Sequence, residues 1–180
     1  TLAAVVAKCF TRRSSNCCAS FHGANSIKRA IQVDQAPIGK TPRSTIVSYL
    51  GIFDEIRALF SGTDAARRMK ISASLFSMNV KGGRCECCQG TGFQKIELNY
   101  LPSSYIICPE CGGKRFNDRI LSVTYHGKTI QEVLETPVSD MIEIFKGTKK
   151  VLPGLSSMVE LGLGYLKLGQ MSMNLSGGEA

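Results

Sequence analysis

The residues Cys85-Glu86-Cys87-Cys88 are followed, after nineteen further residues, by Cys108-Pro109-Glu110-Cys111. Two C-x-x-C pairs at this separation are typical of a zinc site, because each pair lies on a tight turn and offers two thiolates to one tetrahedral ion. Glycines follow both pairs and let the backbone fold back towards the sulfurs. The spacing therefore predicts a structural zinc ion with four ligands: Cys85, Cys88, Cys108 and Cys111.

Two other uses of the cysteines are disfavoured. A disulfide framework would suit a secreted chain, but the apolar run from Leu2 to Ala7 is too short for a signal peptide and has no basic residue before it. The adjacent Cys17 and Cys18 are poor partners for each other. A dithiol redox site needs only one C-x-x-C pair, and four thiolate ligands leave no open position for catalysis on the metal.

The composition is that of a globular protein, since 43% of the 180 residues are hydrophobic and 20% are charged. No apolar run approaches the roughly 18 residues that a membrane span needs, so we expect a soluble, cytoplasmic protein. The sequence starts at Thr1 without a methionine and stops at Ala180 within a motif, so we also expect a piece of a longer chain.

The formal net charge of +8 is unevenly distributed. Residues 1–80 carry 11 Lys and Arg against 4 Asp and Glu, residues 81–119 carry 6 against 4, and residues 120–180 carry 5 against 6. The basic surplus lies before and within the cysteine-rich region, for which a polyanion such as nucleic acid is a natural partner. The alternative is that scattered basic residues only solvate the surface.

The hydrophobic pattern predicts an α+β fold that is mostly helical and carries an inserted β module of the zinc-ribbon kind around the cysteines. Residues 1–30 have no clear period. The predicted elements are a strand at 31–35, a helix over 45–60 ended by Gly62, a short helix over 64–70, a strand at 96–100 ended by Pro102, a strand at 121–125 that reaches a turn at 126–128, a helix capped by Thr136 and ended by Gly147, and a helix over 155–161.

Two further stretches have the composition of phosphate-binding segments. Gly39-Lys40-Thr41 resembles the end of a P-loop, but Asp34 stands where the first glycine is required and Pro42 opposes the helix that must follow. Leu175-Ser176-Gly177-Gly178-Glu179 offers a capping hydroxyl and two glycines whose N–H groups can approach an anion closely. The alternative for this second stretch is a plain helix-capping turn.

Leu-Ser-Gly-Gly-Glu is the signature motif of ABC-type ATPases. Together with residues 81–90 and 162–170, it closely resembles the UvrA family, the ATPases that recognise damage in bacterial nucleotide excision repair. Residues 34–44 also look like that family, which usually has Ser and Arg where this chain has Ala36 and Lys40. The resemblance covers residues 31–180 and does not place residues 1–30.

The resemblance implies a segment of the C-terminal half of the subunit. Residues 31–80 would be the Q-loop region and the start of a helical signature domain, residues 81–119 the zinc module, and residues 120–180 the rest of that domain. Ser176, Gly177 and Gly178 would then touch the γ-phosphate of ATP held by another domain, and Gln35 would sense Mg and the attacking water, although a polar strand-end residue is the plainer account of Gln35. The Walker A lysine would lie upstream and the Walker B carboxylates downstream, so we expect no ATP hydrolysis by this chain alone.

The family is dimeric, binds damaged double-stranded DNA and hands it to UvrB, so the resemblance implies these partners for the full-length protein. Basic side chains beside the cysteines would neutralise phosphates without reading sequence, and damage would be sensed through deformability. The candidate DNA contacts are Lys81, Arg84, Lys114, Arg115, Lys40, Arg43, Arg67 and Arg68.

Two alternatives to a DNA-repair ATPase stay open at the level of sequence. The first cysteine pair fits the C-x-x-C-x-G-x-G repeat of DnaJ-like co-chaperones, but those proteins carry four repeats, and in the second pair here Arg115 replaces the last glycine. A stand-alone zinc-dependent nucleic-acid module is the other alternative, and the acidic last third of the chain argues against it.

Overall fold

A computed structural model describes residue 41, residues 43–98 and residues 101–179; for residues 97, 98 and 101–103 it describes the backbone alone. The predictions for residues 1–40, which include Gln35, Lys40 and the strand at 31–35, lie outside the described residues. The described residues belong to one compact unit. Within it we distinguish a helical body, residues 43–78 and 117–179, from a cysteine module, residues 79–116.

The body consists of short helices and one small hairpin, and its first and second halves flank the cysteine module in the sequence. The helices are α1 (Ile46–Tyr49), α2 (Phe53–Ser61), α3 (Asp64–Arg68), α4 (Asp118–Leu121), α5 (Ile130–Glu135), α6 (Val138–Ile144) and α7 (Leu152–Glu160), with 3₁₀ turns at Ala73–Phe76 and Ser172–Asn174. Strands β3 (Thr124–Tyr125) and β4 (Lys128–Thr129) pair antiparallel. The predicted mixture of helix and strand is confirmed.

Aromatic side chains join the two halves of the body in one core. The ring of Phe60 on α2 lies 5.5 Å from that of Phe76 and 5.8 Å from that of Tyr125 on β3. Tyr125 in turn stacks on Phe145, at 6.0 Å. Phe60, Phe76 and Phe145 are fully buried. The cysteine module therefore interrupts the sequence of the body without interrupting its core.

A second link between the halves is the return segment, which we define as residues 168–172. It runs alongside the start of the body: the N–H of Val47 donates to the carbonyl of Leu168 at 2.9 Å, and the N–H of Ser172 donates to that of Ser44 at 2.9 Å. Thr45 and Met171 form an antiparallel bridge between the same two stretches. The return segment leads directly into the Leu175–Glu179 motif.

The cysteine module is built on one two-stranded antiparallel hairpin. Strand β1 (Phe93–Leu98) pairs with strand β2 (Leu101–Ile107), with Phe93 opposite Ile107 and an irregularity between Ile96 and Leu98. The hairpin thus begins just after the first cysteine pair and ends just before the second, which brings the two pairs together.

Several predicted boundaries differ from the structure. The helix predicted over 45–60 is two helices, because Gly51 at φ +69° breaks the chain while both pieces keep their apolar residues on the same core. The strand predicted at 121–125 begins at Thr124, since Leu121 belongs to α4. Helix α6 has Pro137 rather than Thr136 at its N-cap, because the Thr136 hydroxyl donates back to the carbonyl of Glu132.

The strand expected to end at Pro102 ends at Leu98, and Pro102 lies within β2. The longest helices of the described residues, α2 and α7, have nine residues each, and none of the described helices has the length and hydrophobicity of a membrane span.

Candidate metal centre

The four predicted ligand sulfurs lie within 4.8 Å of one another. The Sγ atoms of Cys85 and Cys108 are 4.0 Å apart, and those of Cys88 and Cys111 are 3.7 Å apart. Zinc–sulfur bonds of about 2.3 Å in a tetrahedron require sulfurs about 3.8 Å apart. Cys85, Cys88 and Cys108 are buried and Cys111 is half-buried. The cluster can therefore hold a metal ion, and its all-sulfur donor set fits zinc.

Backbone hydrogen bonds hold each cysteine pair on a tight turn. In the first turn the N–H of Gly90 donates to the carbonyl of Cys85 at 3.2 Å, and that of Gly92 donates to the sulfur of Cys88 at 3.3 Å. In the second turn the N–H of Gly112 donates to the carbonyl of Cys108 at 2.9 Å. In the first turn a backbone amide is directed at a ligand sulfur, as the glycine pattern predicted, whereas in the second turn the amide of Gly112 meets a carbonyl.

Gly90 is required for a close approach of two backbones. Its φ is +83°, and a Cβ built on it would lie 1.9 Å from the carbonyl oxygen of Met78. Any side chain at this position would force the first cysteine turn away from the body. The absence of a side chain at residue 90 therefore permits the first cysteine turn to lie directly against the body.

The thiol pKa values show how the cluster is arranged electrostatically. Burial raises the pKa of Cys108, but N–H groups of Cys111 and Glu110 outweigh it and lower that pKa to about 6. Burial raises the pKa of Cys85, and burial together with the thiols of Cys108 and Cys88 raises that of Cys111 to about 12. One thiolate thus suppresses ionisation of its neighbours, and a bound cation would relieve that repulsion.

The fifth described cysteine lies outside the cluster. Cys87 is exposed, and its sulfur accepts a hydrogen bond from the side-chain amide of Gln94 at 3.1 Å. The two-residue gap between Cys85 and Cys88 therefore selected the pair that lies in the cluster.

The basic residues predicted to contact DNA fall into two groups. One group is exposed: Arg43, Arg67, Arg68, Lys81 and Lys114. Lys40 lies outside the described residues. These positions place cations on the body before the module and on the module itself.

Arg84 and Arg115 form the second group and depart from the expectation, because only 8% and 7% of their surfaces are exposed. The guanidinium of Arg84 donates to the carbonyl of Asn79 at 3.3 Å and pairs with Glu86 at 3.4 Å. That of Arg115 donates to the carbonyl of Gly169 at 2.8 Å. Both side chains are therefore held by protein groups and do not extend into solvent.

The Leu175–Glu179 motif forms an exposed turn closed by its own last residue. The N–H of Ser176 donates to a carboxylate oxygen of Glu179 at 2.7 Å, and the N–H of Glu179 donates to the carbonyl of Ser176 at 3.1 Å. Ser176, Gly177 and Gly178 are all exposed. The small residues of the turn therefore face solvent.

Tyr165 is a contributor to this turn that the sequence did not reveal. Its hydroxyl donates to the other carboxylate oxygen of Glu179. This bond, followed by the hydrogen bonds from Ser176, lowers the pKa of Glu179. The bond to Glu179, together with burial and the charge of Glu179, raises the pKa of Tyr165. Fourteen residues separate the two, and no motif marks such a pair.

Comparison with known proteins identifies close relatives. A scan against models of known protein families finds no match. The chain is 46% identical over 158 residues to UvrABC system protein A of Bacillus subtilis and 48% identical over 158 residues to the protein of that name from Lactococcus lactis. These matches cover 88% of this chain and 16–17% of the relatives, so the chain spans about one sixth of their length.

A solved structure shares the fold as well as the sequence. The crystal structure of UvrA2 from Deinococcus radiodurans superposes with a TM-score of 0.80 at 47% sequence identity. The superposition covers 87% of this chain and 19% of that one.

Proposed function

Because this chain belongs to the UvrABC system protein A family, we propose that it is a DNA-binding and ATP-responsive segment of a damage-recognition ATPase in nucleotide excision repair. The observation that carries the proposal is the four-sulfur cluster, which lies on a module that also presents exposed Lys81 and Lys114. The segment would act in the cytoplasm as part of a longer protein that dimerises and works with a UvrB-like partner.

The metal in this proposal is one structural zinc ion per chain, held by Cys85, Cys88, Cys108 and Cys111. When bound, it supplies cross-linking of the two cysteine turns and charge neutralisation of four thiolates, with no open position for a substrate. The residues of the module then keep the hairpin and its neighbouring cations in a fixed arrangement.

The proposed nucleotide contact is the turn at Ser176, Gly177 and Gly178. Its exposure and its lack of bulky side chains suit it to cover the γ-phosphate of ATP and Mg bound by another domain, with Gln35 as a second contact. Neither Walker motif is recognised in the sequence, so we expect this chain alone to hydrolyse no ATP. Measurable turnover by the purified chain would contradict this part of the proposal.

The proposed DNA surface consists of the exposed cations and Lys40. They can neutralise phosphates of any sequence, and Arg84 and Arg115 are assigned to holding the module instead. If about five phosphates are neutralised, the logarithm of affinity should fall with the logarithm of salt concentration with a slope of about −4.5.

Fluorescence anisotropy with a duplex, with and without a bulky lesion, tests this surface over a salt series. Lys81→Glu combined with Lys114→Glu should weaken binding of both duplexes by at least about tenfold and make the slope shallower. Lys146→Glu is the matched control, because Lys146 is an exposed cation on the acidic last third of the chain. No binding, or binding that ignores salt, would remove the DNA role.

A further inference from the structure

We propose that Arg115 is a positioning residue that ties the four-cysteine centre to the return segment, so that metal binding at the centre orders the approach to Leu175–Glu179. The inference rests on the proposed metal site and deepens the proposed function, because it connects that site physically to the nucleotide motif. It is carried by contacts that Arg115 makes in two directions.

The backbone of Arg115 belongs to the metal centre. Its carbonyl accepts a hydrogen bond from the N–H of Cys85 at 2.8 Å, and the N–H of the preceding residue, Lys114, donates to the carbonyl of Cys111 at 3.0 Å. The backbone at residues 114–115 thus contacts a cysteine from each pair. The φ of +70° at Arg115 is uncommon for a residue with a Cβ, so this backbone conformation depends on the contacts around it.

The side chain of Arg115 belongs to the body. Its Nη1 donates to the carbonyl of Gly169 in the return segment at 2.8 Å, and its Nη2 lies 3.6 Å from Oε1 of Glu135 at the end of α5. The other carboxylate oxygen of Glu135 pairs with Lys167 at 3.3 Å. Only 9% of the Arg115 side chain is exposed, against 38% for Glu135 and 50% for Lys167, so the guanidinium is the group that is destabilised most if its partners leave.

Two glycines make room for this side chain. A Cβ at Gly169 would lie 3.2 Å from Nη1 of Arg115 and 2.9 Å from the carbonyl oxygen of Leu134. A Cβ at Gly92, in the first cysteine turn, would lie 3.1 Å from Cγ of Arg115. The arginine therefore packs closely against both glycines, and a lysine would offer one compact ammonium in place of the two guanidinium nitrogens that face Gly169 and Glu135.

Backbone hydrogen bonds along the return segment link Gly169 to the start of the nucleotide motif. The N–H of Gly169 also donates to the carbonyl of Leu134 at 2.7 Å. Further along, the N–H of Ser172 donates to the carbonyl of Ser44, and the carbonyl of Ser172 accepts from the N–H of Leu175 at 3.3 Å. If the cysteine turns loosen, the backbone of Arg115 moves, and its side chain releases the carbonyl of Gly169. Metal occupancy and the order of residues 168–176 are thereby coupled.

Hydrogen exchange measured by mass spectrometry on the 180-residue chain, with zinc bound and after chelation, tests the coupling. In the wild type, chelation should speed exchange at least about tenfold in peptides from residues 168–176 as well as from residues 85–115. Arg115→Met should keep about one zinc ion and yet exchange rapidly at residues 168–176 in both states, and Arg115→Lys should lie between. Lys114→Met is the control for charge, because Lys114 is the exposed neighbour, and its zinc content and its exchange at residues 168–176 should match those of the wild type.

Two results would overturn the inference. One is a wild-type chain in which chelation speeds exchange at residues 85–115 alone. The other is Arg115→Met with wild-type protection at residues 168–176. If that variant does not fold, the wild-type comparison decides by itself. A wild-type chain that binds no zinc contradicts the proposed metal site and not the role of Arg115. In that case, hydrogen exchange at residues 168–176 is compared between the metal-free wild type and Arg115→Met, which tests the contact between Arg115 and Gly169 directly.

Discussion

Cys87 and Cys88 are neighbours in the chain but differ in burial and partners. The sulfur of Cys88 is buried and accepts the N–H of Gly92, whereas that of Cys87 is exposed and accepts the amide of Gln94. A metal that needs four sulfurs at tetrahedral distances can use Cys88, but it could use Cys87 only if the turn were rebuilt.

Substitution of single cysteines should separate ligands from bystanders. Cys88→Ser or Cys111→Ser should reduce bound zinc from about one ion per chain to below about 0.1, because a hydroxyl is a poor replacement for a thiolate. Cys87→Ser is the matched control and should keep the full amount. Metal content by atomic emission after dialysis measures this, and an unchanged stoichiometry in either ligand variant would show that the ligand set is misassigned.

The thiol pKa values predict how zinc binding depends on pH. With a pKa of about 6, Cys108 is already a thiolate at pH 7.5, whereas Cys85 and Cys111 have raised pKa values and are protonated. Binding must therefore release at least two protons, and zinc affinity should fall as the pH is lowered from about 8 to about 6, where protons compete increasingly for all ligands.

Titration calorimetry in two buffers of different ionisation enthalpy measures that proton release. The apparent binding enthalpy should differ between the buffers in proportion to the protons released. Equal enthalpies in both buffers would mean that the thiols are ionised before zinc arrives, against the electrostatics of the cluster.

At the scale of elements, the first cysteine turn depends on Gly90 more than the second depends on Gly112. Both glycines have positive φ, but a Cβ at Gly112 would meet nothing within 4 Å, whereas one at Gly90 would overlap the carbonyl of Met78. Gly112→Ala should cost only the left-handed backbone penalty, about 1 kcal/mol, and lower Tm by about 4 °C.

Gly90→Ala should lower Tm by at least about twice as much and weaken zinc binding, because the turn must shift away from the body. Thermal unfolding of the two variants in parallel provides the comparison. Equal losses at both positions would mean that only φ matters and that the contact with Met78 carries no weight.

The sequence predicts an element well when the residues that determine it lie close together in the chain. The spacing of Cys85, Cys88, Cys108 and Cys111 was sufficient to pick the sulfurs that cluster, because tight turns and a connecting hairpin are local features. The break at Gly51 was missed, because the apolar period of α1 continues into α2 and hides a change of direction.

The burial of Arg115 could not be predicted from the sequence. Its partner Gly169 lies 54 residues away, and a basic residue beside a metal site is ordinarily expected to face solvent. When the hydrogen-bond partner of a buried charged side chain lies far away in the sequence, the pattern of neighbouring residues does not indicate the burial. The same is true of Tyr165 and Glu179.

At the scale of the whole molecule, the body has its own core, to which the module contributes one buried side chain, that of Phe116. The body's buried apolar residues form one cluster, and the buried cysteines form another. A metal ion held by the four sulfurs would therefore take the place of a hydrophobic core of the module's own, as in other small metal-stabilised units.

Removal of zinc should consequently unfold the module and spare most of the body. Chelation should abolish protection of the hairpin while the far-ultraviolet circular dichroism of the helices falls by less than about a fifth, with looser order at residues 168–176 as the exception. Restoring zinc should reverse the change. Complete loss of the helical signal on chelation would show that the two parts are one cooperative unit.

The pairing of residues 168–172 with residues 44–47 also has a consequence for the order of events on the ribosome. Cys111 is synthesised about 60 residues before Ser172, which at 5–20 residues per second is roughly 3–12 s. The nascent chain can bind its metal during that interval, while residues 44–47 still lack their backbone partners in the return segment. The cysteine module is thus available as an early template, and the guanidinium of Arg115 receives its carbonyl partner only when Gly169 emerges.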